Sequence, residues 1–352
     1  MRAELLRVDA AEWAAFLDHA QHDLYHLPAY VGLGATQEGG EARSLLIVDG
    51  GRSMLLPLIV RPIPGGGFDA TSPYGFPGPL LSGTQDHMFM RDALLAGKRI
   101  LDSLGIISVF VRLHPLLNLS PPEGVGTIVE HGDTVVVDLS LSDDDLWRQT
   151  RHNHRRGINK ATREGYVARI DEAWTHYETF KGLYRATMKR RSAMPYYFFD
   201  DAYFDRLRTV LGHGMSLCVV EIGGAIAAAG LFVETCGIVE YHLSGSDEAF
   251  AHEGPSKLMM HFVRAWAKSR GNVCMHLGGG VGGTDDSLMH FKSGFSPLRR
   301  TYRTLRIVVR EREYAQLVSA HDPSLDPTMA DGFFPLYRAE SRPVSSSIGA
   351  PG

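Results

Sequence analysis

The chain has 352 residues, which is enough for about two domains of ordinary size. Apolar residues make up 44% of it and charged residues 22%, a composition typical of a globular protein that buries its own core. The net charge of −4 argues against a protein that binds nucleic acid over its whole surface, although it is compatible with a local basic patch.

The first 139 residues alternate between helical and strand patterns, and we interpret 1–139 as one domain. Two glycines after Asp49 favour a tight turn between two apolar runs, which predicts a β-hairpin. In chain order the predicted elements are a helix at 13–21, the hairpin at 43–63, a Pro/Gly loop at 72–80, a helix at 87–105, a strand at 106–113 and a second hairpin near 127–139.

A basic segment opens the next part of the chain. Ser142 followed by three aspartates predicts a helix start, which we extend to about Gly165. On such a helix most of the cationic side chains share one face, an arc of about 140°. The basic residues of this segment are Arg148, Arg151, His152, Arg155, Arg156, Lys160 and Arg163. Two interpretations stay open, a solvated face or a docking surface for phosphates, and the scarcity of acidic residues favours the second.

A second helix is predicted at about 175–192, with Lys181, Arg185 and Lys189 on one face. The pattern is clearest after it. The predicted elements are strands at 216–224, 225–235 and 236–247, a helix at 254–271, a strand at 272–277, a short helix at 285–295 and a strand at 304–309. The first half shows a looser version of this order, so we interpret 1–139 and 140–310 as a structural repeat. The composition of 341–352 predicts a disordered tail.

Glycines are concentrated at 277–292, where Gly278, Gly280 and Gly283 satisfy G-x-G-x-x-G. A dinucleotide site needs an acidic residue about 20 residues further on and more parallel strands, and neither follows here. A phosphate-binding P-loop needs Gly-Lys-Ser/Thr, whereas Thr284 follows Gly283 directly. The remaining interpretations are a flexible turn and a loop that lets the backbone approach a ligand, with Lys292 late in the helix that follows.

The sequence lacks the patterns of a strong protein nucleophile or a zinc site, so we predict no metal and no cofactor. An acyl donor that is already an ester or thioester needs little beyond positioning of the two substrates and stabilisation of the oxyanion. A lysine such as Lys292 suits that role. A general base is not identified; His242 and Asp247 are the candidates, and a structural role for His242 is the alternative.

Taken together, these stretches resemble the Fem family of aminoacyl-tRNA-dependent peptidyltransferases, also called FemABX-like proteins. The matching stretches are SPYGFPGP at 72–79, RHNHRRGINKATREGYV at 151–167, FKGLYRATMKRR at 180–191, VEYHLSGSD at 239–247, 254–271 and 277–295. The resemblance implies an α/β (α+β) fold of two tandem GNAT-like acyltransferase domains, with mixed central sheets flanked by helices. It also implies that 311–340 packs back on the first domain.

The same resemblance implies an activity and a set of site residues. The activity is transfer of an amino acid from aminoacyl-tRNA to the amine of a peptide or peptide-like acceptor, without a metal. Lys292 matches the lysine of the family's Phe-Lys motif, which holds the tRNA end or the oxyanion, and Arg190 matches an arginine that contacts the acceptor. The other implied substrate-binding residues are Tyr74, Phe76, Tyr241, His242, Ser244 and Phe291. The implied tRNA-binding residues are Arg148, Arg151, Arg155, Arg156, Lys160 and Arg163.

Two departures from known patterns bear on the substrates. The stretch at 251–259, AHEGPSKLM, lacks the pyrophosphate-binding loop of enzymes that use coenzyme A, which counts against an acyl-CoA donor. The stretch at 26–38 has no Lys or Arg, which puts a cell-wall precursor in doubt relative to a peptide natural product, free or bound to a carrier protein. An acyl-CoA N-acyltransferase and a non-catalytic RNA- or lipid-precursor-binding protein stay as alternatives. Three sparse cysteines and no membrane-length apolar run predict a cytoplasmic protein that is not integral to a membrane.

Overall fold

The computed structural model describes residues 1–118, 123–329 and 332–339. The strands of the first half are β1 (Arg2–Arg7), β2 (Glu41–Asp49), β3 (Arg52–Pro62), β4 (Phe68–Thr71), β5 (Leu80–Ser82), β6 (Ile106–Leu113) and β7 (Thr127–Asp138). Its helices are α1 (Ala11–Leu17), α2 (Pro28–Glu38) and α3 (His87–Ser103). A short 3-10 turn over Leu24–His26 precedes α2.

The second half contributes six strands and seven helices within the described ranges. Its strands are β8 (Val167–Ile170), β9 (Met215–Ile222), β10 (Ala225–Thr235), β11 (Ile238–Ser246), β12 (Cys274–Gly278) and β13 (Arg299–Val308). Its helices are α4 (Asp143–Gln149), α5 (His152–Arg163), α6 (Tyr177–Arg190), α7 (Asp201–Leu211), α8 (Pro255–Ser269), α9 (Ser287–Lys292) and α10 (Glu311–His321). The predicted tail at 341–352 lies outside the described residues.

One mixed sheet runs through both halves. Its strand order is β1-β2-β3-β4-β6-β13-β7-β12-β11-β10-β9-β8, and β5 pairs with β3. The last strand of the chain, β13, lies between β6 and β7, antiparallel to both. The two halves are therefore joined by continuous backbone hydrogen bonding, and each half carries helices that bury the faces of its part of the sheet.

The hairpin predicted at 43–63 is confirmed, since β2 and β3 pair from Glu41↔Val60 to Asp49↔Arg52 around Gly50-Gly51. The second hairpin, predicted near 127–139, is wrong. This segment is the single long strand β7, which pairs with β13 and then with β12. Gly132 resembles a turn residue in the sequence. In the structure it has φ +125° and lies beside a register shift between β7 and β13. It approaches Gly283 so closely that a Cβ would lie 2.0 Å from the Gly283 carbonyl oxygen. The glycine marks a bulge.

The continuous helix predicted from Ser142 to Gly165 is also wrong, because the chain breaks between α4 and α5. Thr150 has an extended conformation, with φ −66° and ψ 125°. Its hydroxyl is 2.8 Å from the Leu146 carbonyl oxygen and 2.7 Å from Nη1 of buried Arg264. The next amide, of Arg151, donates to the Gly294 carbonyl oxygen at 2.8 Å. The two tertiary hydrogen bonds, with Arg264 and with Gly294, override the local helical pattern.

Two hydrophobic cores cover opposite faces of the second half of the sheet. One packs α4, α5 and α8 on residues such as Val239 and Met275. The other packs α6 and α7 together with the first-half residues Tyr25 and Tyr30 on the opposite face. The first half thus supplies part of the cover for the second. Among the described helices, none is long and apolar enough to cross a bilayer.

The segment after β13 packs on the first half. Tyr314 and Val318 of α10 share a small core with Ile63 and Ile107. Further on, the hydroxyl of Tyr337 lies 2.7 Å from Ser108 Oγ and 3.2 Å from the buried Asp69 carboxylate. Apolar burial and hydrogen bonds to a buried carboxylate together anchor the described part of this segment to the first half.

Candidate active site

A gap opens in the sheet between β11 and β12. The two strands pair in parallel only from Ile238↔Cys274 to Glu240↔His276. Beyond that point β11 bulges: Leu231 of β10 faces Leu243 while Phe232 faces Tyr241, so His242 has no partner in the ladder. A bulge bends the strand that carries it. The two strands therefore separate after Glu240 and His276.

Lys292 lies at this gap. It is the last residue of α9, whose start is fixed by Asp286: the carboxylate accepts the amide hydrogens of Met289 at 2.8 Å and of Val281 at 3.1 Å. Lys292 is only 8% exposed, and its Nζ donates to the Gly279 carbonyl oxygen at 2.7 Å. A lysine ammonium has three N–H donors. Among the described residues it uses one, so two remain for a ligand in the gap.

The glycines of 278–283 shape this position. A Cβ on Gly278, which has φ +71°, would lie 3.2 Å from Lys292 Nζ, and one on Gly280 would lie 2.0 Å from the Thr284 carbonyl oxygen. The loop thus brings its backbone close to the lysine and folds tightly back on itself, which residues without a side chain permit. The G-x-G-x-x-G spacing is explained by three close approaches: Gly278 to Lys292, Gly280 to Thr284 and Gly283 to His131 of β7.

Lys292 holds its charge only weakly. Burial lowers its pKa to about 8, although the nearby carboxyl groups of Glu240 and Asp286 act in the opposite direction. With that pKa, about nine-tenths of the molecules carry a charged ammonium at pH 7. The same group can give up its proton near neutral pH, as a general acid must.

A buried polar network lies directly below the gap, and the two halves of the chain build it together. His276 Nδ1 of β12 lies 2.8 Å from Glu240 Oε1 of β11, and the Tyr25 hydroxyl donates to Glu240 Oε2 at 3.2 Å. The carboxyl groups of Glu240 and Asp23 are neighbours, with oxygen atoms within 4.8 Å of each other. Asp23 Oδ2 in turn lies 3.0 Å from His114 Nε2. All five side chains are buried.

The hydrogen bonds of His114 fix its tautomer. Its Nδ1 accepts the backbone amides of Leu116 at 3.1 Å and Leu117 at 3.3 Å, so the proton of the neutral ring is on Nε2. That N–H donates to Asp23. The ligand atoms of Asp23, His114 and Glu240 lie within 4.8 Å of one another, a spacing that could suit a metal ion. However, a protonated Nε2 has no lone pair to offer, so the arrangement favours a hydrogen-bond network over a metal site.

Two neighbouring carboxyl groups share this buried space, and their pKa values move apart. Burial alone would raise the pKa of Asp23, but the hydrogen bonds from His114 and the Leu24 amide outweigh it and the pKa is lowered. Burial and the charge of Asp23 raise the pKa of Glu240 well above its ordinary value. Like-charged groups at this distance cannot both ionise cheaply. Glu240 therefore holds the proton and Asp23 the negative charge.

The structure brings several of the predicted residues to the mouth of the gap. The Tyr241 hydroxyl hydrogen-bonds Ser244 Oγ, and Lys292 Nζ lies 6.0 Å from the centre of the Tyr241 ring. Arg190 is exposed and donates to the Ser246 carbonyl oxygen at 3.2 Å and to Thr187 Oγ1 at 3.3 Å. The Thr-x-x-Arg motif is thereby attached to the end of β11.

Two predicted aromatic residues come from the first-half loop at 72–79. Phe76 covers the network, with its ring centre 5.3 Å from that of His276. Tyr74 lies with its ring centre 6.4 Å from that of His242. His242 is held neutral, because burial lowers its pKa to about 4, and its Nε2 is buried without a partner among the described residues. Phe291, in contrast, packs against His154 and Phe295 and away from the network.

The predicted basic residues fall into two groups. His152, Arg155, Arg156 and Arg163 line a groove of about 240 Å³ together with Trp147 and Asn159. The other three are engaged elsewhere: Lys160 pairs with Glu253 and Glu164, Arg148 with Asp145, and Arg151 donates to the His290 carbonyl oxygen. The groove spans the break at Thr150, since Trp147 comes from α4 and its other lining residues come from α5.

A second cavity, of about 370 Å³, lies where α2 of the first half meets 196–206 of the second. It is lined by Leu33, Thr36, Gln37, Tyr196, Phe198, Phe199, Asp200, Tyr203 and Arg206. Four of these nine residues are aromatic, and the lining carries one cation and one carboxylate.

Sequence reasoning missed the buried network of Asp23, Tyr25, His114, Glu240 and His276. Glu240 is the one residue whose sequence context indicates such a network, since it is a carboxylate inside the apolar strand pattern IVEYHL. An acid at a position that the pattern buries needs a partner. The partners, however, come from distant parts of the chain, and no local pattern places them.

Comparisons with known proteins agree with this architecture. Residues 148–293 match the family model described as acetyltransferase (GNAT) domain. Among solved structures, FemX is similar with a TM-score of 0.68 at 14% identity, over 89% of this chain and 99% of that chain. L-PGS from Bacillus licheniformis is similar with a TM-score of 0.54 at 16% identity, over 85% and 92% of the two chains. No curated protein matches.

A third similar structure is the C-terminal domain of a putative lysylphosphatidylglycerol synthetase from Agrobacterium fabrum, with a TM-score of 0.52 at 12% identity over 84% of this chain and 90% of that chain. At such identities the likeness shows the fold. The expected Fem-like tandem GNAT fold is confirmed. The GNAT match and the shared fold together support an acyltransferase.

Proposed function

We propose, starting from the Fem-like tandem GNAT fold, that this protein transfers an amino acid from aminoacyl-tRNA to the amine of a peptide or peptide-like acceptor. The observation that carries the proposal is Lys292, an ammonium buried at the gap between β11 and β12 with two N–H donors left over. The alternative donor, an acyl-CoA, is favoured by the family match to an acetyltransferase domain.

The chemistry needs little from the protein beyond placement and charge. The acceptor amine attacks the ester carbonyl carbon, a C–N bond forms, and the carbonyl oxygen becomes an oxyanion. The bond to the ribose oxygen then breaks, and that oxygen takes a proton. The charged Lys292 stabilises the oxyanion from inside a water-poor site, where an ammonium acts most strongly.

The donor side is supported by the groove of Arg155, Arg156 and Arg163. Arginines beside an indole suit a strand of RNA, because guanidinium groups bind phosphates and aromatic rings stack on bases. The start of α8, where a coenzyme A enzyme would hold a pyrophosphate, is less suitable for an anion. Pro255 has no amide hydrogen to offer, and the Glu253 carboxylate lies just ahead of it.

The acceptor side is supported by the aromatic cavity between α2 and 196–206. A nucleotide diphosphate would require several cations, and Arg206 is the one cation in the lining. Aromatic walls with one carboxylate suit an amine on an apolar or peptide-like body. The cavity therefore agrees better with a peptide-like acceptor than with a nucleotide-linked cell-wall precursor.

The first test is sensitivity of the reaction to RNase. Purified protein is incubated with ATP, labelled amino acids and cell extract, and labelled amides are detected with and without RNase; Lys292→Met provides the inactive control. Loss of product with RNase supports aminoacyl-tRNA as donor. Product that survives RNase and requires coenzyme A supports the alternative. Absence of product, with tRNA binding retained in a filter assay, supports a non-catalytic RNA-binding protein.

A further inference from the structure

The loop that joins α6 to α7 carries a cluster of exposed apolar side chains. Met194 is 64% exposed, Phe198 46% and Tyr196 38%. In the part of the chain that the structure describes, thirteen large apolar residues are exposed, and three of them fall within these five positions. Single exposed apolar residues are ordinary on a protein surface, whereas a contiguous group indicates a surface that binds a partner.

The loop is held in place from its inner side. The hydroxyl of buried Tyr184 donates to the Tyr197 carbonyl oxygen at 2.9 Å. Phe199 is buried, and its ring centre lies 4.0 Å from that of Tyr203. The inward-facing residues thus anchor the loop to the core, and the exposed side chains are not needed for that packing.

Three consecutive cations lie next to the exposed apolar side chains. Lys189 and Arg190 end α6, Arg191 follows them, and all three are exposed. Arg190 and Arg191 donate to neutral oxygens, of Ser246 and of Ser287. Within the described ranges, none of the three cations forms an ion pair with a carboxylate. Their charge is therefore available to a partner.

The acidic residues nearest to the loop are engaged elsewhere. The stretch from 186 to 199 contains no Asp or Glu. Asp200 follows it and accepts the amide hydrogen of Tyr203 at 2.7 Å. Asp201 pairs with Arg185 at 2.8 Å and with Lys181 at 3.0 Å. The net charge of the chain is −4, but charges further than about 8 Å away are largely screened at physiological salt, so the local cations decide what binds here.

The loop and the basic groove belong to opposite faces of the sheet. Helices α6 and α7 pack in the core on one face, and α4 and α5, which line the groove, pack in the core on the other. A partner bound to the loop therefore leaves the groove free. The cavity assigned to the acceptor is on the side of the loop, since Tyr196 and Phe198 belong to its lining.

We propose that the segment from Lys189 to Phe198 docks the protein on an anionic lipid bilayer. Cations next to exposed aromatic and aliphatic side chains suit such a surface, because the cations are attracted to anionic headgroups while the apolar side chains enter the headgroup boundary. RNA would use the cations but would leave the most exposed side chain, Met194, without a stacking partner. The docked protein holds the acceptor cavity at the bilayer surface, and the docking itself requires neither donor nor acceptor.

Sedimentation with lipid vesicles tests the proposal on the full-length protein. We expect the protein to sediment with vesicles of phosphatidylcholine mixed with phosphatidylglycerol, to stay in solution with phosphatidylcholine alone, and to be released as salt rises. Lys189→Gln should weaken binding about fivefold, the contribution of one cation near an anionic membrane. Met194→Ser should weaken it roughly tenfold, as expected for an apolar side chain that leaves water on binding.

Met88→Ser is the matched control. Met88 is 55% exposed, but it lies at the start of α3 beside the acidic N-cap Asp86, so this variant should bind like the native protein. The proposal is overturned if the native protein stays in solution with the anionic vesicles, or if Lys189→Gln and Met194→Ser bind as the native protein does. Weaker binding of tRNA by Lys189→Gln, with vesicle binding unchanged, would assign the loop to RNA and overturn it equally.

A fluorescent reporter shows whether the loop itself meets the lipid. Tryptophan is introduced as Met194→Trp, and Met88→Trp is the control. A blue shift on addition of anionic vesicles, seen with Met194→Trp and absent from Met88→Trp and the native protein, supports the proposal. Vesicle binding without this shift would place the contact elsewhere and overturn it. Neither measurement uses the transfer reaction, so both results stand whichever donor the RNase experiment identifies.

Discussion

Replacing Lys292 by methionine is expected to abolish transfer and, at the same time, to stabilise the fold. Burial lowers the pKa of this lysine from its ordinary 10.5 to about 8, which corresponds to roughly 3 kcal/mol of stability lost while the group is protonated. Loss of the hydrogen bond to the Gly279 carbonyl oxygen offsets about 1 kcal/mol of the gain. Methionine is similar in length, so the net gain is roughly 2 kcal/mol, or about 3 °C in Tm for a chain of this size.

The size of this stabilisation depends on pH. Because the pKa of Lys292 is lower in the folded protein than in the unfolded chain, the cost is fully present below about pH 8 and disappears as the pH rises towards 10.5. Calorimetry of the native protein and of Lys292→Met at pH 7 and at pH 10 should therefore show a Tm difference that shrinks at the higher pH. A lower Tm for the variant at pH 7, or full transfer activity, would refute the reasoning.

A second buried lysine provides the matched control. Lys181 Nζ lies 2.6 Å from Glu178 Oε1 and 3.0 Å from Asp201 Oδ1. Burial acts to lower its pKa, but these hydrogen bonds outweigh burial and raise it. Lys181→Met should consequently destabilise the protein at pH 7. Opposite changes in Tm from the same substitution at two buried sites would show that the environment of the ammonium, and not burial of a lysine in general, decides the sign.

The remaining predictions concern the groove and the glycines. Arg156→Ala and Arg163→Ala should each reduce the slope of log affinity for tRNA against log salt concentration by about 1. Lys160→Ala should change this slope less, because that lysine is already paired with Glu253. Filter binding at several salt concentrations measures the slopes. Gly132→Ala should lower the free energy of unfolding by about 2 kcal/mol or more, since its Cβ would lie 2.0 Å from a backbone oxygen. Gly182→Ala, at an exposed helical position with open space around it, should raise the free energy of unfolding by about 0.5–1 kcal/mol. Chemical denaturation measures both.

Local chemistry explains which parts of the fold the sequence predicts. The hairpin at Gly50-Gly51 is set by neighbouring residues, so its pattern is sufficient. Gly132 and Thr150 are different, because distant residues decide their conformations. Gly132 packs against Gly283. Thr150 hydrogen-bonds to Arg264, and the amide that follows it donates to Gly294. A glycine in a turn and a glycine in a bulge have the same local sequence signature, and only the partner strand distinguishes them.

The candidate site likewise contains residues that short motifs predict and residues that only the fold brings together. Lys292 and Arg190 are found through a family resemblance, since each belongs to a short motif with characteristic neighbours. The buried network has no such motif. Asp23 and Glu240 are more than 200 residues apart and meet only because a first-half turn covers the second half of the sheet. A single sequence shows that Glu240 needs a partner, and only the fold shows which one.

The energetics of this network argue against a purely stabilising role. A buried carboxyl pair and a buried ammonium with a lowered pKa together reduce stability, and apolar side chains of similar volume would pack there at no such cost. The network also requires both halves, because Asp23 and His114 come from the first and Glu240, His276 and Lys292 from the second. A single GNAT-like half would leave Glu240 without Asp23 and expose the gap to water. The tandem arrangement, joined by β13, covers the network from one side and places the carboxylate of Asp23 beside Glu240.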